Sequence, residues 1–167
     1  MPLPSPRVRL IVILTLALAL VGWFLWWRTP AVQAPRTFAR LQEAIASGSA
    51  NGVLGQIHPD YDIPAHWPNA PWAELGSGTP RLLAQRALSA LFLAHRDQPL
   101  SLAVDLFSVT PDADGRVTVV ATLHLSSPPG TTRFNLGPIH RHRFVLARSS
   151  FTGRLTIIDQ APISFSL

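Results

Sequence analysis

Hydrophobic and polar positions change their spacing along the chain, and each change marks a different kind of element. From Leu10 to Trp27 (LIVILTLALALVGWFLWW) eighteen residues pass without a charge. A helix of that length extends about 27 Å, close to the roughly 30 Å hydrocarbon core of a bilayer. It also satisfies its own backbone groups, as a spanning segment must. Trp23, Trp26 and Trp27 gather at its C-terminal end, where indole rings favour the headgroup level. Residues 10–27 are therefore expected to be an uncleaved transmembrane anchor behind a short tail, residues 1–9. Val32-Gln33-Ala34 has the small-residue spacing of a signal-peptidase site. Against cleavage stand Pro35, directly after the cut, and an apolar run longer than the roughly 7–15 residues of a signal core. Arg7 and Arg9 before the run and Arg28, Arg36 and Arg40 after it nearly balance the positive-inside rule. The short tail resembles a signal-anchor and favours an exported domain on the periplasmic side of the inner membrane.

Past the anchor, residues 28–35 carry TPAVQAP and read as a short, extended, Pro-bounded linker. Residues 36–167 form one domain. Phe38, Leu41 and Ile45 recur at helix spacing, and Gly48 is a natural stop. Ser49 can cap a second short helix over Asn51–Ile57, ended by the turn His58-Pro59-Asp60-Tyr61-Asp62. Residues 63–79 are rich in Pro, Gly and Trp and read as loop. Thr79-Pro80 then opens a strongly apolar helix reaching Arg96. After Pro99 the texture turns to strands: Leu100–Val109, Arg116–Leu125, Ile139–Arg148 and Arg154–Gln160, with turns at Asp112–Gly115 and Thr152-Gly153. Three helices followed by a four-strand meander predict an α+β domain, with a curved antiparallel sheet wrapped on the helices.

Charge changes this picture only in its distribution. The chain has 47% hydrophobic residues, 14 basic residues, all arginine, and no cysteine. That excludes a disulfide framework, a thiolate metal site and a cysteine nucleophile. With three arginines beside the anchor, the domain itself is close to balanced, and nucleic acid is not expected as a partner. No acid occurs between Asp114 and Asp159, a stretch holding Arg116, Arg133, Arg141, Arg143, Arg148 and Arg154. A basic sheet half can meet anionic lipid, an acidic partner or a second copy, or it can simply be a solvated face.

The paired opening helices broken at Ala46-Ser47-Gly48-Ser49, the exit HPDYD, and the long strands DGRVTVVATLHL and RHRFVLAR resemble the nuclear transport factor 2-like superfamily. The resemblance covers Arg36 to about Ile163. It implies a cone-shaped, cystatin-like fold with a cavity between sheet and helices. That superfamily contains isomerases, cyclases, ligand carriers and assembly modules, so fold does not choose function. An anchor helix before such a domain is also similar to the inner-membrane scaffold subunit of type IV secretion systems.

His140 and His142 share a strand face, with Arg141 and Arg143 on the other. Two imidazoles in a cone can bind an anionic ligand, exchange protons or ligate a metal; equally, they can be half-exposed residues at the sheet mouth. His124 on the preceding strand is a candidate to join them. A metal needs a third ligand and no carboxylate lies in this stretch, so no metal is expected. Asp60 or Asp62 can act as general base beside Tyr61 as oxyanion donor, or simply build a turn. Trp67 and Trp72 can lid a cavity holding an apolar ligand, touch lipid, or pack. Asp105 is a buried acid or an exposed strand residue. No Gly-rich phosphate loop, GxSxG or HExxH occurs, and no cofactor is expected. The leading expectation is a non-enzymatic binding or assembly module, with lipid held through the anchor and a protein partner or second copy on the sheet face. The alternative is an isomerase- or cyclase-type enzyme using His140 and His142.

Overall fold

The structure, a computed structural model, describes residues 6–67, 72, 74–126, 141–150 and 152–163, with the backbone alone at 6–9. Helix α1 (Pro6–Trp27) is followed by α2 (Pro30–Ala46), α3 (Ala50–Leu54), α4 (Ile63–His66) and α5 (Pro80–Ala94). Strands β1 (Ser101–Pro111), β2 (Val117–Ser126), β3 (Arg141–Arg148) and β4 (Leu155–Pro162) complete the chain order. They form one antiparallel sheet in the order β1-β2-β3-β4.

Local chemistry explains most boundaries. Thr79 stays extended and its side-chain oxygen accepts from the Leu82 N–H, while Pro80 supplies a ready helical φ at the first position. Ser49 caps α3 by accepting from the Gly52 N–H. The extended linker expected over 28–35 is corrected: Pro30 takes the first position of α2 behind an extended Thr29, whose hydroxyl donates back to the Trp26 carbonyl instead of capping, so only Arg28 and Thr29 separate α1 from α2. Pro35 then lies inside α2 and forfeits one backbone hydrogen bond.

α2 ends where Gly48 takes φ +66°, with the Ser49 N–H donating to the Ala44 carbonyl at 2.8 Å. A Cβ at Gly48 would meet only Phe92, at 3.5 Å, so space is not the constraint. The left-handed backbone is. Gly48→Ala is expected to cost about 1–2 kcal/mol, read as a lowered thermal unfolding midpoint with unchanged circular dichroism.

α2 lies across the concave face of the sheet and buries Ala34, Phe38, Leu41 and Ala44. Phe38 meets Phe144 of β3 edge-on, with ring centroids 5.3 Å apart. Val117, Val119 and Ala121 of β2 face the same core, paired with Leu146, Phe144 and His142. Thr37 is buried among them, and its hydroxyl donates to the Leu155 carbonyl at 2.8 Å. Register shifts at Leu106/Ser108 and Val145/Leu146 bend the sheet around the helices. The outer edge of β4 is closed by the segment before the HPDYD turn: His58 N–H donates to the Ile157 carbonyl, and Ile157 N–H to the Gln56 carbonyl. Arg81 ties α5 to the end of α3 by donating to the Leu54 carbonyl at 2.7 Å.

α1 stands apart. Its Leu10–Trp27 window has a mean hydropathy of 2.4, and none of it is buried against the rest of the chain. By length and composition it can cross a membrane.

Candidate functional site

Between α2 and the sheet lies a cavity of about 200 Å³. Leu41 and Ile45 of α2, Leu123 of β2 and Phe144 of β3 form its apolar walls. Tyr61, Trp67 and Gln160 bring the polar groups. Each arrives for a local reason. Tyr61 sits at the HPDYD turn, whose closure is the Tyr61 N–H bond to the His58 carbonyl at 3.1 Å. Asp62 accepts from the Ala65 N–H and so caps the four-residue α4, which turns the chain back and carries Trp67 over the cavity. Trp72 backs Trp67 in a parallel stack, centroids 6.5 Å apart, and its indole N–H donates to the Trp67 carbonyl at 3.1 Å. Gln160 points inward because it pairs with Phe144 across β3 and β4.

Tyr61 is buried, and burial pushes its phenol well above the ordinary tyrosine range. The Trp67 indole opposes that rise, and the negative charge of Asp159 adds to it. Behind the phenol, the His66 ring lies 4.6 Å from the Tyr61 ring, and His66 Nε2 is 3.1 Å from Asp159 Oδ1. This tyrosine–histidine–aspartate set joins α4 to the edge of β4. The sequence reading missed His66 and Asp159. Only the capping signal of Asp62 pointed to a helix there, and nothing local pointed to Asp159.

The other candidates fall on the two faces of the sheet and in the HPDYD turn. His142 is on the inner face with Phe144, ring centroids 5.9 Å apart, next to the cavity wall. His140 lies outside the described residues. Arg141 and Arg143 are exposed on the outer face, where the Arg141 guanidinium covers the Phe107 ring at 4.1 Å. His124 is corrected: it pairs with Ala103 and alternates away from Leu123 and Leu125, so it lies on the face opposite His142. Of the two readings of Asp105, the exposed strand residue is the one found. It pairs with Thr122 on the outer face and is exposed. Asp60 points to solvent with 78% of its side chain exposed, its backbone N–H donating to His58 Nδ1. Neither aspartate reaches the cavity. Among the described residues, no group of three His, Asp or Glu side chains is placed to hold a metal ion. A larger depression of about 530 Å³, about as open to solvent as the first, lies between Ser47, Phe92 and Leu100.

No protein-family model and no curated protein sequence matches the chain. Solved structures do. Aln2 from a Streptomyces species is 14% identical, with a TM-score of 0.57 over 96% of this chain and 93% of that one. A protein from Catenulispora acidiphila is 16% identical, with a TM-score of 0.51 over 80% of this chain and 89% of its own. A candidate dehydratase of the nuclear transport factor 2-like family from Streptomyces avermitilis is 18% identical, with a TM-score of 0.44 over 81% and 99%. At these identities the likeness is one of fold. The chain has an α+β fold, helices packed on a curved four-stranded antiparallel meander, and shares that fold with Aln2 and the Catenulispora protein.

Proposed function

We propose that this protein is a membrane-anchored, non-enzymatic module that holds a small, largely apolar molecule in its cone. The observation that carries the reading is the cavity wall. It is apolar on nearly every side, with a phenol and an amide as orienting groups and no carboxylate among its lining residues. Enclosed apolar cavities of about 150 Å³ accept benzene-sized molecules, and this hollow, half open to solvent, is of that size. A single substituted ring therefore fits, its polar substituent meeting Tyr61 or Gln160. The anchor reading rests on the unburied apolar window of α1. Cleavage after Ala34 would also remove the first turn of α2 and a residue that is fully buried. An exported position rests on the charge pattern of the short tail alone.

One observation favours an isomerase- or cyclase-type enzyme instead. His66 and Asp159 form a paired imidazole and carboxylate directly behind Tyr61, the layout of a proton relay. That reading requires a substrate whose reacting atom passes Tyr61, and the walls leave the imidazole outside the cavity.

Saturation-transfer NMR with 4-methylphenol on the full chain in micelles tests the binding reading. Leu123→Trp fills the cavity from β2 and serves as the reference that subtracts partitioning into detergent. The expected result is a saturable signal in the wild type that weakens at least about tenfold in Leu123→Trp, a ring-sized loss of apolar contact. Equal signals in the two proteins would sink the cavity reading.

A further inference from the structure

At the joint between α1 and the domain lies a second cavity, also about 200 Å³, lined by Trp27, Gln33, Arg36, Thr37, Arg40, Arg154 and Leu155. Three arginines from two elements converge there: Arg36 and Arg40 one turn apart on α2, and Arg154 from the turn before β4. None of them takes part in an ion pair among the described residues. Arg36 lies with its guanidinium carbon 3.1 Å from the centre of the Trp27 ring, and its Nη1 is buried with no hydrogen-bond partner. A buried guanidinium nitrogen without an acceptor is costly. Arg40 is held below the ordinary arginine value, first by burial and then by the positive charges of Arg154 and Arg36. Like charges gathered around one hollow, with a donor left over, describe a site for an anion.

The neighbours sharpen its chemistry. Arg148 is already committed, donating to the Arg28 carbonyl at 2.8 Å, the Gly153 carbonyl at 3.1 Å and Gln33 Oε1 at 3.3 Å. It braces the floor and leaves the other three for a ligand. Thr37 spends its hydroxyl on backbone carbonyls. The charged donors that remain are guanidinium groups, whose fork geometry matches the oxygens of a phosphate, and the Gln33 amide and Trp27 indole line the same hollow. Trp27, which forms one wall, belongs to the indole cluster at the end of α1, the level of lipid headgroups if α1 spans a bilayer.

We propose that Arg36, Arg40 and Arg154 form a binding site for a phosphate-bearing anion, supplied by the headgroup of an anionic phospholipid in the leaflet facing the domain. The lipid source rests on the anchor reading above; the phosphate chemistry does not. The bound headgroup gives Arg36 Nη1 its acceptor and relieves the repulsion within the trio.

Native mass spectrometry of the full chain released from micelles tests this, with phosphatidylglycerol, phosphatidylcholine and inorganic phosphate titrated separately. Flotation with phosphatidylcholine vesicles runs beside it. The expected result is flotation, together with one phosphatidylglycerol retained at least roughly tenfold better than phosphatidylcholine, three charges contributing. Arg36→Gln/Arg40→Gln/Arg154→Gln should erase that preference. Arg141→Gln/Arg143→Gln, on the outer sheet face, should keep it. Single Arg154→Gln, outside any helix, should weaken it and covers the case in which the triple variant fails to fold. Inorganic phosphate bound in the wild type and lost in the variants, with no lipid preference, would support the anion site and overturn the headgroup as its source. No preference in the wild type and no phosphate bound would overturn the site itself, as would a preference the variants leave intact. Failure to float would sink the anchor reading separately.

Discussion

Replacing Phe144 by alanine is expected to lower the unfolding free energy of the domain by about 3–5 kcal/mol, toward the lower end of that range. Phe144 is 1% exposed, stands at the centre of the concave face and meets Phe38 edge-on. Truncation loses both the apolar burial and the ring contact. The lower end applies because Phe144 already borders a cavity, so the change enlarges a space rather than opening a sealed one. A domain of this size has about 5–15 kcal/mol in all, so the variant is left close to unfolding. Urea titration followed by tryptophan fluorescence measures it, with Phe107→Ala as the contrast. Phe107 is 51% exposed under Arg141 on the outer face, and its loss should cost about 1 kcal/mol or less. Equal losses at the two positions would mean that the concave face is not the core.

The second large effect is a loss of stability in alkali that passes through one side chain. The chain contains a single tyrosine, Tyr61, and neither lysine nor cysteine. Its ordinary value near 10 therefore meets no competing lysine or cysteine. Burial raises the phenol above its ordinary value, so the folded protein keeps a proton that the unfolded chain releases. Stability is intact below the ordinary tyrosine value near 10 and falls as the pH climbs above it. The slope approaches about 1.4 kcal/mol per pH unit. Tyr61→Phe should flatten that slope, and phenolate absorbance in the wild type should appear together with unfolding. A phenolate band at the ordinary pH in protein that is still folded would refute the buried placement of Tyr61.

Signals that act over a few residues could be read from the sequence, and those that act across the fold could not. Thr79-Pro80, Ser49 and Gly48 each fix a helix end within one turn, and the strands of the meander showed in their alternation. Thr29-Pro30 carries the same Thr-Pro start as Thr79-Pro80, but Pro35 hid it, because a second proline reads as a linker unless the helix around it is held by packing. Phe38 and the buried Ala34 supply that packing. The exclusion of His124 from the face of His142 is legible in β2 itself, whose alternation puts Leu123 and Leu125 inward and His124 out. The His66–Asp159 contact is of another kind. It exists because Gln56–His58 pairs with Ile157 and brings α4 to the edge of β4. No local pattern near His66 encodes that pairing.

The joint between the first two helices also limits where the domain can be. Two residues of chain reach no more than about 7 Å, and Arg148 holds Arg28 to the end of β3. With α1 in a bilayer, the cone rides at one height above the lipid and has no tether on which to swing outward. Its encounters are then those of a body sliding in a plane.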